Sequence, residues 1–146
     1  MTSRSYPTYP FLAVSISVFR EGRVLLATRT KPPFEGAFTL PGGLVELGES
    51  LEEAALRELW EEVQVKARVI AFNQHVESID HDDENKVRHH FVIASFVAEW
   101  VEGEGTTGPE AGEILWADPA HLAKLKTTPH IERVIEGARK TYDAYK

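Results

Sequence analysis

Glu58, Glu61 and Glu62 stand at i, i+3 and i+4 in the stretch GESLEEAALRELWEEV, from Gly48 to Val63, where Arg57 is the one basic residue. On a helix, with about 100° between successive residues, three such side chains converge on one flank. Like charges at these spacings cost about 0.2–0.5 kcal/mol per pair. Carboxylates gathered in this way are hard oxygen ligands, suited to Mg²⁺, which is held by one or two of them together with waters and substrate phosphates. A solvated acidic face is the plainer reading, since glutamate forms helices well and the cost is small.

The elements that must position these acids can be read around them. Ser50 followed by Glu53 is a capping box, which predicts a helix from there to about Val63. Ala55, Leu56, Leu59 and Val63 then share one side as a core face, with Trp60 at its margin, while Ala54 and Ala55 leave space one turn before the acids. In front of the helix, Leu40-Pro41-Gly42-Gly43 closes a short strand, and paired glycines let a backbone approach a ligand closely.

Together the box glycine, the acids and their offsets carry a resemblance. Gly43, Glu49, Arg57, Glu58, Leu59, Glu61, Glu62 and Val65 meet eight of the nine specified positions of G-x5-E-x7-R-E-U-x-E-E-x-G-U, where U is bulky and apolar. That spacing is similar to the signature of the Nudix hydrolases. Gln64 is the departure, standing where the pattern has a glycine suited to a left-handed residue after the helix, so the local turn is expected to end the helix differently.

The resemblance implies hydrolysis of a nucleoside diphosphate linked to a further group, by attack of water on phosphorus with Mg²⁺ or Mn²⁺ as cofactor. It implies that Glu58 and Glu62 are metal ligands, that Glu61 binds metal directly or through water, and that the Gly42 carbonyl completes the set. Arg57 and Glu49 would then support each other and orient the ligands. Pro109 to Trp116 resembles a later family element, E-x-x-E-x-x-W, which makes Glu110 the expected extra ligand or base. Arg29 lies where family members place an arginine on substrate phosphates, with a solvated strand end as its alternative. Phe34 is either a stacking partner for a nucleobase or a packing residue. Which glutamate is the general base is not readable from spacing.

The stretch Pro32-Pro33-Phe34-Glu35-Gly36 leading into Leu40-Pro41-Gly42-Gly43 looks like small ADP-ribose pyrophosphatases of that family, making ADP-ribose or a nucleoside diphosphate sugar the first expected substrate. Many such members have a proline about fifteen residues after the box, and none occurs here between Pro41 and Pro109. Nucleoside triphosphate hydrolysis of a sanitising type therefore stays open, as does a nucleotide-binding module without turnover.

Along the rest of the chain, strands are predicted at Phe11 to Phe19, Arg23 to Arg29, Ala37 to Leu40, Val65 to Ser78, Val87 to Trp100 and Glu113 to Ala117. A second helix is expected from an N-cap at Thr128, with Pro129 at its first position, to about Tyr145. The apolar run before Phe19 alternates and is followed by Glu21-Gly22, so it reads as a hairpin strand rather than a signal-peptide core. The economical fold is α/β, one domain over residues 1–146 with a mixed sheet and helices packed on it; the resemblance makes it an α/β/α sandwich.

Composition narrows the partners. A formal net charge of −7 disfavours nucleic acid and anionic membranes, leaving a nucleotide-type small molecule bridged by cations. The absence of cysteine removes disulfides and thiolate chemistry and suits a cytoplasmic setting. A homodimer is open. Asp80 to Asn85 lacks the glycine and distal glutamate of a calcium loop and reads as a solvated turn, and His89 and His90 point to opposite strand faces.

Overall fold

Alternation within Phe11–Arg20 (β1) sends Val14, Ile16 and Val18 to one face of a sheet and Phe19 to the other, and each face has its own buried cluster. The computed structural model, which describes residues 4–146, places a helix over each of these clusters. This is the α/β/α sandwich with a mixed sheet.

β1 turns at Glu21-Gly22 into Arg23–Thr28 (β2), pairing Phe19 with Val24 and Arg20 with Arg23. Both turn residues have positive φ, +50° and +79°, which matches the twist of a tight hairpin. Past these two pairs the strands diverge. Phe38–Thr39 (β3) stays on β2 and is the expected strand over Ala37 to Leu40 in shortened form, whereas Gly42–Leu44 (β4), a strand not expected from the sequence, crosses to pair antiparallel with β1. Pro41 has no N–H to continue a ladder, but its carbonyl accepts from Ile16 N–H.

Lys66–His81 (β5) and Val87–Glu102 (β6) form a long antiparallel hairpin, and β6 runs parallel to β1. Both strands outrun the expected ends at Ser78 and Trp100. The turn that closes the hairpin lies beyond His81, where the Asp82 carboxylate accepts from the Glu84 and Lys86 N–H groups. The solvated turn expected over Asp80 to Asn85 is thus shorter, since Asp80 and His81 belong to β5. Ile114–Ala117 (β7) pairs with β2 on its other edge.

The helix Leu51–Val63 (α1) starts at the capping box: Glu53 N–H donates to Ser50 Oγ and Ser50 N–H to Glu53 Oε1. Ala54, Ala55, Leu59 and Val63 are buried, Leu56 packs at the edge of the cluster, and Trp60 is exposed. The helix Ile131–Tyr145 (α2) covers the opposite face through Ile131, Val134, Ile135, Ala138 and Tyr142. It begins two residues later than a cap at Thr128 would allow. Thr128 is taken by the sheet, its N–H donating to Phe38 O and its hydroxyl to Thr39 Oγ1, so His130 in a left-handed conformation precedes the helix without a side-chain cap.

Candidate active site

The divergence of β1 and β2 is what lets Gly42 and Gly43 in. A side chain at Gly42 would collide with the Val14 carbonyl and come within 2.9 Å of Ser15 Cα. At Gly43 a Cβ would lie 2.5 Å from the carboxyl carbon of Glu58. Neither glycine is there for a special φ: at Gly42 the obstacle is backbone, which excludes any side chain, while at Gly43 it is the end of the Glu58 side chain, which a Cβ would displace.

Arg57, on α1, works as a hub. Its Nε and one terminal nitrogen grip both oxygens of Glu49 at 2.6 and 2.9 Å, and the latter nitrogen also donates to Leu44 O at 3.0 Å. The other terminal nitrogen reaches Glu58 at 2.8 Å and Glu61 at 3.2 Å, with Glu46 at 3.5 Å. A planar fork can divide itself among several oxygens in this way; an ammonium cannot. Arg57 and the Glu46 N–H hold the Glu49 carboxyl well below the usual range, at about 2.

Glu58 and Glu62 stand on one flank of α1, and the carboxylate of Glu110 comes to meet them. One oxygen from each lies within 4.8 Å of the other two. Burial pushes the Glu58 carboxyl up, against the pull of Arg57. Burial first, then the charge of Glu58, raise Glu62 to about 8, while a backbone hydrogen bond from Gly42 acts the other way. With no cation present, such a cluster retains a proton because adjacent anions cannot all be ionised away from water. Three hard oxygen donors, kept close despite mutual repulsion and cradled by Gly43, fit a divalent cation; they fit a soft metal poorly.

Glu110 arrives by a different route. It sits in the turn Gly108–Ala111, closed by reciprocal backbone hydrogen bonds of 2.9 and 3.2 Å between its end residues. Ala111 is buried in the cluster under α1. Gly112 N–H donates to Thr28 O, Thr28 N–H donates to Glu113 O, and the Thr30 hydroxyl donates to Pro109 O at 2.6 Å.

Not all expected residues join the trio. Glu61 is outside it, more than half exposed, and engaged with Arg57. Arg29 follows β2 near the anchor of the Glu110 turn, its Nε donating to Pro33 O at 2.7 Å, and it makes no ion pair among the described residues. Phe34 is half exposed in the loop Thr30 to Gly36, with φ +64°. Gln64 takes φ +55°, ψ +44° with its N–H on Trp60 O, so it ends the helix just as a glycine would, contrary to expectation. Leu44, Glu46 and Thr30 were missed. Leu44 contributes a carbonyl and Thr30 a tertiary contact, neither of which has a sequence signal; Glu46 stands one turn before Glu49 in an acidic stretch and was open to notice.

The geometry has relatives. A NUDIX domain matches residues 10–137. Over 117 residues the chain is 35% identical to ADP-ribose pyrophosphatase from Methanocaldococcus jannaschii, covering 80% of this chain and 67% of that protein. It is also 35% identical over 109 residues to NAD-capped RNA hydrolase NudC from Chromobacterium violaceum, covering 73% of this chain but 37% of the relative, so it spans little more than a third of that protein. Among solved structures it resembles the MutT NUDIX hydrolase from Burkholderia pseudomallei, with a TM-score of 0.77, 26% identity and coverage of 88% and 98% of the two chains. The NUDIX domain of Shewanella oneidensis NrtR, solved with ADP ribose, shares the fold with a TM-score of 0.75 and 24% identity, over 92% of this chain and 90% of that one.

Proposed function

Because the chain belongs to the Nudix family of hydrolases, we propose that it cleaves the pyrophosphate of ADP-ribose or a closely related nucleoside diphosphate sugar, using Mg²⁺ or Mn²⁺ held by Glu58, Glu62 and Glu110. The observation that carries this reading is the approach of three carboxylate oxygens, from two separate elements, to within 4.8 Å of one another. The substrate class is supported by the names of the relatives. ADP-ribose and NAD both contain adenosine joined through a pyrophosphate to a second ribose, and the relatives named above act on one or on RNA capped with the other.

Members of this family work with divalent cations, which when bound neutralise the anionic substrate and acidify and orient the attacking water. The residues of the chain do the rest. Glu58 and Glu62 present oxygens from one helix flank, Glu110 closes the set from its turn, the Gly42 N–H donates to Glu62, and the Gly42 carbonyl would serve as a further ligand oxygen. Glu61 acts one step out, through water. Arg57, tied to Glu49, fixes the rotamer of Glu58. Arg29 binds the phosphates of the substrate and Phe34 stacks on its base. Water adds to one phosphorus, the anhydride bond breaks, and ADP-ribose gives AMP and ribose 5-phosphate, the proton passing to a carboxylate of this cluster.

A net charge of −7 favours a free nucleotide over RNA, and no helix among the described residues is long and apolar enough to cross a membrane. A cytoplasmic location is part of the same proposal. The test is a panel of ADP-ribose, NAD⁺, NADH, a nucleoside diphosphate glucose and nucleoside triphosphates with Mg²⁺, resolved by chromatography. AMP with ribose 5-phosphate as the fastest products supports the reading; a triphosphate turned over faster than any diphosphate diester overturns the substrate class.

A further inference from the structure

Glu110 is exposed and lies in a turn, yet its carboxylate is held beside two others on a helix far away in sequence. What keeps it there is instructive. The backbone bonds between Gly108 and Ala111 fix the shape of the turn, and those joining Thr28 to Gly112 and Glu113 fix its base. Neither fixes the tip, Pro109-Glu110, relative to α1. The tip has one tie from a side chain outside the turn among the described residues, the 2.6 Å hydrogen bond from the Thr30 hydroxyl to Pro109 O. The Thr30 methyl lies over Gly112, 3.5 Å from where a Cβ would be. Thr30 thus touches the turn at tip and base, from the first residue of the loop that carries Phe34.

We infer that Thr30 is a positioning residue, whose hydroxyl holds the Pro109-Glu110 tip so that the Glu110 carboxylate stays with Glu58 and Glu62. The inference rests on the reading that Glu110 holds a divalent cation with those two. A peptide carbonyl pinned next to Glu110 restricts the backbone that aims its side chain, and a small loss of aim at a ligand set is felt strongly. The same hydroxyl joins the site's acidic turn to the substrate-facing loop.

The experiment uses Thr30→Val, which keeps the branched shape and removes the donor, Thr30→Ser, which restores it, Glu110→Gln, and the double variant Thr30→Val/Glu110→Gln. Mn²⁺ binding to the full chain without nucleotide is followed by electron paramagnetic resonance, alongside Mg²⁺-dependent ADP-ribose turnover. Thr30→Val is expected to weaken Mn²⁺ binding about 3- to 10-fold, toward the low end of what losing a support to a metal ligand costs. Thr30→Ser should bind within about twofold of the parent, and Thr30→Val should add nothing in the Glu110→Gln background, because a tether has no effect once its cargo is inert. Unchanged Mn²⁺ affinity in Thr30→Val, or an additive loss in the double variant, overturns the inference. A Glu110→Gln protein that binds Mn²⁺ like the parent sinks the underlying reading instead, and Thr30 with it. Thermal unfolding monitors integrity, and Thr30→Ala serves with the same expectations if Thr30→Val does not fold.

Discussion

Glu58 folds its carboxylate over the bare α-carbon of Gly43, so closely that a methyl group there would lie 2.5 Å from the Glu58 carboxyl carbon. The glycine belongs to β4 and the glutamate to α1, and the contact joins the strand that enters the divided sheet to the helix that carries the acids. Gly43→Ala must push that carboxylate out of place. Steady-state kinetics at saturating Mg²⁺ should show kcat/KM lower by about 100-fold, as expected for an ångström-scale misplacement. Stability should fall by only about 1–3 kcal/mol, the usual cost of an overpacked contact. A fully active Gly43→Ala protein would mean that the position of Glu58 does not matter.

Arg57→Lys keeps the charge and loses the fork. One ammonium cannot span Glu49, Glu58 and the Leu44 carbonyl as the guanidinium does. The Mg²⁺ concentration for half-maximal activity should rise about 10- to 100-fold, the range typical for outer supports of metal ligands. An activation curve by Mg²⁺ titration reads this directly, and an unshifted curve would remove Arg57 from the site's support.

Gln64 provides a stability test remote from chemistry. Its left-handed conformation strains a residue that bears a Cβ, and the side chain is exposed. Gln64→Gly should stabilise the protein by about 0.5–1 kcal/mol, strain relief being partly offset by the greater freedom of glycine in the unfolded chain. Denaturant midpoints should rise with activity unchanged. Gly103 already packs against the Gln64 carbonyl, a Cβ on it falling 2.6 Å away, so Gly103→Ala should have the opposite effect.

The raised Glu62 carboxyl gives a pH dependence of definite sign. Without metal, its value of about 8 exceeds the ordinary 4.5, so between these limits the folded protein binds more protons than the unfolded one. Its contribution to stability is complete below pH 4.5 and is lost as pH rises toward 8. Melting temperatures of the chelated protein should therefore fall from pH 5 to pH 8, and Glu62→Gln should flatten the slope. Mg²⁺ requires the ionised form, so its addition at pH 7 should release about one proton in weak buffer. Proton uptake, or no exchange at all, would contradict this picture of the cluster.

Local features were the legible ones. Ser50 and Glu53 announce the start of α1 because a capping box closes within four residues, and Glu21-Gly22 announces the hairpin because two positive φ values suit that turn. The fixed offsets from Gly43 to Val65 pointed to the family for the same reason, since the support of Glu58 by Arg57 and Glu49 lies within one loop and one helix. Thr128 misled because its cap-forming groups were claimed by β3, a partner ninety residues earlier that propensity cannot see. The approach of Glu110 to the helix was expected from resemblance, but its mechanical cause, Thr28 and Thr30 gripping the turn, is tertiary and left no trace in the spacing.

The decisive measurement is AMP release from ADP-ribose by the parent protein and by Glu62→Gln, each with Mg²⁺ and with chelator, alongside Mn²⁺ titration of both. The parent should release AMP only with the cation, and Glu62→Gln should bind Mn²⁺ at least tenfold more weakly and turn over about 100-fold more slowly or worse while melting no lower. Undiminished Mn²⁺ binding and turnover in Glu62→Gln would show that the acidic trio is not where the cation and the pyrophosphate meet.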